Sequence, residues 1–81
     1  MNFDQDKVDE MALALLFLTL HDGNRAWKGM DWDVLERLCT KGLIYDAANK
    51  SKSVALTDEG LIKCRELFLK HFGAPPPRAA G

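Results

Sequence analysis

Residues 31–44 read DWDVLERLCTKGLI, and residues 53–59 read SVALTDE; these two stretches decide the fold. On a helical wheel, the apolar side chains of the first stretch share one half, and the charged side chains occupy the other. Asp31 is a typical N-cap, and the Lys-Gly pair that follows the pattern is typical of a helix C-terminus. The first stretch therefore predicts an amphipathic helix whose apolar face, including Trp32, packs into a core.

The chain after this helix predicts a β-hairpin. Residues 43–45 and 53–56 are short runs with alternating or β-branched side chains, and the polar residues 49–52 lie between them. Thr57 then offers its hydroxyl as an N-cap, and the two acidic residues after it favour the positive end of a helix dipole. We therefore expect a last helix that runs to about residue 72.

The amino-terminal segment predicts a helix that is apolar on nearly every side. It begins with acidic residues, continues to about His21, and stops at a turn that contains Gly and Asn. Leu13, Phe17 and Leu20 extend its apolar surface, so we expect it to be buried all round, in a central position or against a second subunit. A loop over residues 23–30 should follow.

The order of these elements predicts a small α+β domain, with three helices and a two-stranded hairpin between the second and the third. The domain covers residues 1–72, and the Pro-rich residues 73–81 are expected to form a disordered tail. A chain of 81 residues holds one domain at most. Because small domains bury only about 60% of their unfolded surface, the core should be thin, which favours a partner or a second copy.

The helix that ends in KGLI at residues 41–44, and the hairpin that ends in LTDEG at residues 56–60, resemble the recognition helix and wing of winged-helix domains. The similarity is to regulators of the multiple-antibiotic-resistance and phenolic-acid-repressor types. It covers residues 31–72 and implies a winged-helix-like fold. The segment at residues 23–30 departs from that pattern, because a loop stands where the pattern has a helix.

A second resemblance is carried by the segments LLFLTLHDG (15–23), RAWKG (25–29), DWDVL (31–35), KGLI (41–44) and KSV (52–54). Through them, residues 1–72 resemble a family of small uncharacterised bacterial proteins. The resemblance implies the same fold and a bacterial cytoplasm, and it implies no activity.

Charge gives no general reason to expect nucleic acid, since the net charge is −1 and the isoelectric point is about 6.0. Residues 1–22 carry five acidic side chains against Lys7 and sum to −4, which leaves +3 for the rest. This dipolar arrangement is compatible with self-association. The apolar run at residues 11–20 is too short to cross a bilayer, so we expect a cytoplasmic protein without a membrane partner.

Basic residues of the loop and the wing are candidate contacts for nucleic acid or another partner. One interpretation is a rim that contacts phosphates, in which Trp27 stacks on a base. The other is a set of ordinary solvated cations, with Trp27 folded over the core. Acidic residues in the first turn of the second helix disfavour base reading by that helix. The candidates are Arg25, Trp27, Lys28, Lys50 and Lys52, assisted by Arg37 and Lys41.

A dimer interface is the other candidate surface. Ile62 and Leu69 lie one heptad apart, outside the core stripe of the last helix, and Phe17 and Leu20 add apolar surface to the first. We therefore expect a homodimer that joins the first and last helices.

The sequence contains no nucleophile motif and no glycine-rich phosphate-binding loop, so we expect no enzyme. Cys39 and Cys64 stand far apart and read as buried thiols, and His21 and His71 are not paired at metal-ligand spacing. We expect no metal and no cofactor. The sequence thus favours a non-enzymatic module that binds protein, itself or another; the alternative is a regulator-like protein that contacts DNA phosphates through the wing and the second helix.

Overall fold

The computed structural model describes residues 3–27, 29, 31–45 and 52–73. Lys28, Lys50 and the tail from residue 74 onward lie outside these residues, so the expectations for them stay predictions. The three predicted helices and the α+β class are confirmed. In chain order the elements are α1 (Gln5–Leu16), a 3₁₀ turn (Phe17–Thr19), β1 (Arg25–Trp27), α2 (Trp32–Thr40), β2 (Ser53–Ala55) and α3 (Asp58–Phe72).

Each helix begins at a side-chain N-cap. Asp4 Oδ1 accepts a hydrogen bond from the backbone N–H of Lys7 at 3.0 Å, at the start of α1. Asp31 and Thr57 cap α2 and α3 in the same way, and both caps were predicted from the sequence. These bonds satisfy backbone donors that a helix leaves without a partner in its first turn.

The predicted hairpin between α2 and α3 is present, although the longest strand pairing joins β2 to β1 and not to the other arm of the hairpin. Ile44 pairs antiparallel with Leu56, and the N–H of Tyr45 donates to the carbonyl oxygen of Ala55 at 2.9 Å. The ladder of several residues joins β2 to β1, in the register Arg25↔Ala55, Ala26↔Val54 and Trp27↔Ser53.

The prediction of a loop over residues 23–30 was therefore wrong at β1. Three residues are too few to show an alternating pattern, and only Ala26 points into the core, where it is fully buried. Asn24 aligns the strand from a distance in sequence: its side-chain amide donates to the carbonyl of Leu56 at 2.9 Å, and its own carbonyl accepts from the N–H of Leu56 at 2.7 Å.

Helices α1 and α3 pack antiparallel and supply a large part of the core. Glu10 contacts His71, and Phe17, in the 3₁₀ turn after α1, contacts Phe68, which precedes His71 on α3. The beginning of α3 lies against the chain that leaves α2, where Thr57 Oγ1 donates to the carbonyl of Gly42 at 2.7 Å. This packing brings the two ends of the hairpin to the first turn of α3.

The structure of one chain tests two predictions about burial. The first helix is not buried all round within this chain, because Leu15 and Leu18 are 39% and 51% exposed, so its burial against a second subunit stays a prediction. Trp32 is 61% exposed instead of packed in the core. Trp32 stands in the first turn of α2, where the core is already filled by Val34, Leu35 and Leu38.

Candidate functional site

A buried carboxylate joins α1 to α2. Asp9 is 1% exposed and accepts two hydrogen bonds from the guanidinium of Arg37, from Nε at 2.7 Å and from Nη2 at 2.8 Å. Lys41 Nζ donates to the same carboxylate at 3.1 Å and lies 3.4 Å from Asp6. Asp9, Arg37 and Lys41 are called the Asp9 cluster below.

The sequence analysis missed this cluster, because it assigned Asp9 to the helix dipole and the two cations to solvent or phosphate. A usable signal was present: on a helical wheel Asp9 falls between Leu13 and Leu16, on the side of α1 that faces the core. An acid at such a position needs a cationic partner, since an unpaired buried charge is costly.

The cluster shifts the pKa of Asp9 downward. The hydrogen bond from Arg37 is the main cause and Lys41 adds to it, while burial opposes both. Arg37 and Lys41 therefore have an internal role, and their side chains are only 28% and 39% exposed. Their use on DNA phosphates would require them to leave a buried carboxylate.

The lowered pKa makes the stability of the protein depend on pH. Below about pH 4 the unfolded chain binds a proton at Asp9 more readily than the native protein does, so the free energy of unfolding should fall as pH is lowered through the native pKa. We expect the difference between the urea midpoints of the native protein and of Asp9→Asn to stay constant from pH 7 to about pH 5 and to narrow as the pH falls below about 4. A difference that stays constant down to about pH 3 would contradict this assignment.

A hydrogen bond between a histidine and a carboxylate joins α1 to α3. His71 Nε2 lies 2.9 Å from Glu10 Oε2, and this hydrogen bond lowers the pKa of the Glu10 carboxyl. The pair lies at the edge of the α1–α3 contact, beside the ring of Phe72. It aligns the end of α3 with the beginning of α1.

Apolar side chains form an exposed surface on the α1–α3 pair, which we call the α1/α3 face. On α1 and the 3₁₀ turn these apolar side chains recur at intervals of three and four residues. On α3 the same spacing recurs, but Arg65 stands at one of the positions in place of an apolar residue. On α1 the stripe lies on the side away from Asp9, which faces α2, and on α3 it lies on the side away from Gly60, which packs against Leu43. The members are Val8, Met11, Leu15, Leu18, Ile62, Leu69 and Phe72.

The predicted dimer residues divide between this face and the core. Ile62 and Leu69 are 62% and 47% exposed and belong to the face. Phe17 is 2% exposed, with its ring 5.2 Å from that of Phe68, so its assignment to an interface was wrong. Leu20 is half-buried and packs against the core. Phe17 lies on the side of α1 that α3 covers.

The sheet presents a second exposed surface, which we call the outer sheet face. Ala26, Val54 and Ile44 point into the core, so their neighbours along the strands point outward. Trp27 and Tyr45 are 52% and 57% exposed on this outer side. The face consists of Arg25, Trp27, Tyr45, Ser53 and Ala55.

Two of the predicted contact residues are held in place on the outer sheet face. The ring of Trp27 stacks on that of His21 with centroids 4.7 Å apart, so Trp27 does not fold over the core. Arg25 Nε donates to Ser53 Oγ at 2.8 Å, and Nη2 donates to the Ser53 carbonyl at 3.2 Å. Lys52 is exposed and directly precedes Ser53 in the sequence. The sequence analysis did not select Tyr45.

A cleft of about 350 Å³ lies between the three helices. Its floor is made of leucines that are almost fully buried, such as Leu13 and Leu38. Acidic residues outnumber Lys41 and Lys63 on its rim, and Lys41 already binds Asp9. The rim is therefore unfavourable for phosphates and carboxylates.

Within residues 3–27, 29, 31–45 and 52–73, no helix has both the length and the apolar character that a membrane span requires.

Comparison with known proteins gives the family. The model of the family described as "Domain of unknown function (DUF6429)" matches residues 4–74. The chain is similar to "Uncharacterized protein y4hR" of Sinorhizobium fredii (strain NBRC 101917 / NGR234), with 56% identity over 72 residues, which cover 89% of this chain and 97% of the relative. No solved structure shows a significant match. The sequence analysis identified a family of small uncharacterised bacterial proteins, and the chain belongs to the DUF6429 family.

Proposed function

We propose that this protein is a non-enzymatic binding module that forms a homodimer through the α1/α3 face. The observation that carries the proposal is the pair of adjacent apolar stripes left exposed on α1 and α3. Stripes with this spacing are typical of helix pairs that pack against other helices. A two-fold axis would pack α1 and α3 of one copy against α1 and α3 of the other copy, so that the interface contains four helices.

The size of the face agrees with a dimer interface. Apart from Met11, which is half-buried, the members of the face are between 38% and 62% exposed. Together they leave apolar surface on the order of 500 Å², which is near the upper end of the apolar patches found on ordinary monomers. Two copies would bury about 1,000 Å² in total, where specific interfaces begin. Because so small a domain buries little of its own surface, this added burial matters for its stability.

The proposal assigns binding and no catalysis to this chain. The Cys64 thiol is fully buried, and burial raises its pKa to about 12, so it is a packing group instead of a nucleophile. The free cysteines support a reducing bacterial cytoplasm as its location. The order of α1, β1, α2, the hairpin and α3 supports the description as winged-helix-like.

The alternative, a DNA-binding regulator, finds less support. Arg37 and Lys41 are engaged by Asp9, and the first turn of α2 presents Asp33 at its surface. A salt-dependent shift of duplex DNA that is abolished by charge reversal of Lys50 and Lys52 would favour this alternative.

The homodimer is tested by the double variant Ile62→Gln, Leu69→Gln. Because a two-fold interface uses each residue twice, the variant removes four apolar side chains per dimer, and we expect dissociation to become at least about 100-fold easier. The measurement is light scattering and sedimentation over a concentration series. The native protein should be dimeric in the micromolar range.

The matched control is Lys63→Gln, Lys70→Gln, which places the same polar side chain at exposed positions of α3 outside the face. It should leave the dimer unchanged. A native protein that stays monomeric at high micromolar concentration would defeat the proposal, and so would equal dissociation of the two double variants.

A further inference from the structure

We propose that the outer sheet face binds single-stranded nucleic acid by stacking its bases on Trp27 and Tyr45. This surface is separate from the α1/α3 face, so the inference does not rest on the homodimer. It also differs from duplex reading by a helix, since α2 takes no part in it.

The first reason is the exposure of the aromatic residues. Tryptophan is highly buried on average in folded proteins, yet Trp27 and Tyr45 are both more than half exposed and project from the same side of the sheet. The ring of Trp27 is also held by stacking on His21, and its backbone N–H donates to Thr19 Oγ1 at 3.1 Å. A ring fixed in this way loses little entropy when a base stacks on it.

The second reason is the shape between the two rings. They stand on the flanking strands, separated by β2, which places their backbones on the order of 10 Å apart. Ser53 and Ala55 stand between them and are small, and Ser53 is buried with the guanidinium of Arg25 hydrogen-bonded to it. The result is a strip with an aromatic ring at each end and a guanidinium and small side chains between them, which suits flat rings.

The third reason is charge complementarity. Arg25 supplies a cation on the face, and the strand residues of the face include no carboxylate. Cations beside stacking rings are the combination that holds a phosphate backbone and its bases. A duplex keeps its bases stacked on each other, so the occupant that fits is a single strand, whose bases are free to stack on side chains.

The experiment uses the two tryptophans as internal reporters. Trp32→Phe leaves Trp27 as the fluorophore, and Trp27→Phe leaves Trp32, which is equally exposed but lies in α2. Each variant is titrated with an oligothymidylate of about ten nucleotides, up to about 100 µM. We expect quenching of Trp27 and none of Trp32, with an affinity that falls as salt is raised.

Tyr45→Ala should weaken the oligonucleotide binding about tenfold, as expected for the loss of one stacked base. Phe72→Ala removes an equally exposed ring from the α1/α3 face and should leave the binding unchanged. Urea midpoints of both variants confirm that they fold. Absence of quenching, equal quenching of both tryptophans, or equal affinity for a duplex of the same length would overturn the inference.

Discussion

Replacement of Gly60 by Ala is expected to cost about 3 kcal/mol of folding free energy, although alanine is ordinarily the better helix former. Gly60 lies in the first turn of α3, where the backbone passes directly over the chain that leaves α2. A Cβ built there would overlap the carbonyl oxygen of Leu43 and lie 2.7 Å from the carbonyl carbon. A methyl group attached to the backbone has no torsion by which to avoid another backbone, so α3 or residue 43 must move.

Such a shift would damage two further contacts at the same place. Thr57 donates two hydrogen bonds here, from its backbone N–H to the Leu43 carbonyl at 3.1 Å and from Oγ1 to the Gly42 carbonyl. We therefore expect the melting temperature of Gly60→Ala to fall by about 15 °C. Thermal unfolding followed by circular dichroism measures this.

The matched control is Gly29→Ala. A Cβ at Gly29 meets no atom within 4 Å, so this substitution should change the free energy of unfolding by less than about 0.5 kcal/mol. If Gly60→Ala were as stable as this control, the close approach of α3 to Leu43 would be refuted.

Replacement of Asp9 by Asn is expected to cost about 2 kcal/mol or more at neutral pH. The amide matches the carboxylate in shape but offers one acceptor oxygen and an NH₂ group that faces the donors of Arg37. The variant therefore loses one of the two hydrogen bonds that Arg37 donates to residue 9. It also places the new NH₂ group against a guanidinium N–H in a buried site, where both are donors. The loss should appear in urea unfolding as a lower midpoint with an unchanged slope.

Asp6→Asn is the control for this prediction. Asp6 also contacts Lys41, at 3.4 Å, but its side chain is 90% exposed. Exposed ion pairs contribute little, so we expect a change below about 0.5 kcal/mol. Similar losses in Asp6→Asn and Asp9→Asn would show that the Asp9 cluster does not behave as a buried pair.

Much of the local structure was predictable because its causes are local. Asp31 and Thr57 begin helices through their own side chains, and the amphipathic pattern of α2 identifies its buried half. The strand β1 was not predictable in this way, since its partner lies 30 residues away in the Arg25↔Ala55 pair. Trp32 was misplaced because the helical period shows which side of a helix is apolar but not how far the core extends along it.

The candidate surfaces show the same division. Ile62 and Leu69 were recognised because they stand apart from the core stripe of their own helix, a property of one element. Phe17 was misassigned, because only the position of α3 decides which side of α1 is covered. Tyr45 and Trp27 are distant in sequence, and β2 alone places them on one side of the sheet.

The sequence by itself determined the helices, their caps, the hairpin and the family, because side-chain pattern and capping act over a few residues. The tertiary structure decided that Asp9 is buried between Arg37 and Lys41, that Gly60 lies against Leu43, and which apolar residues stay exposed. These depend on which faces of distant elements meet. Burial and electrostatic pairing belong to pairs of elements, and no single stretch of the chain contains both partners.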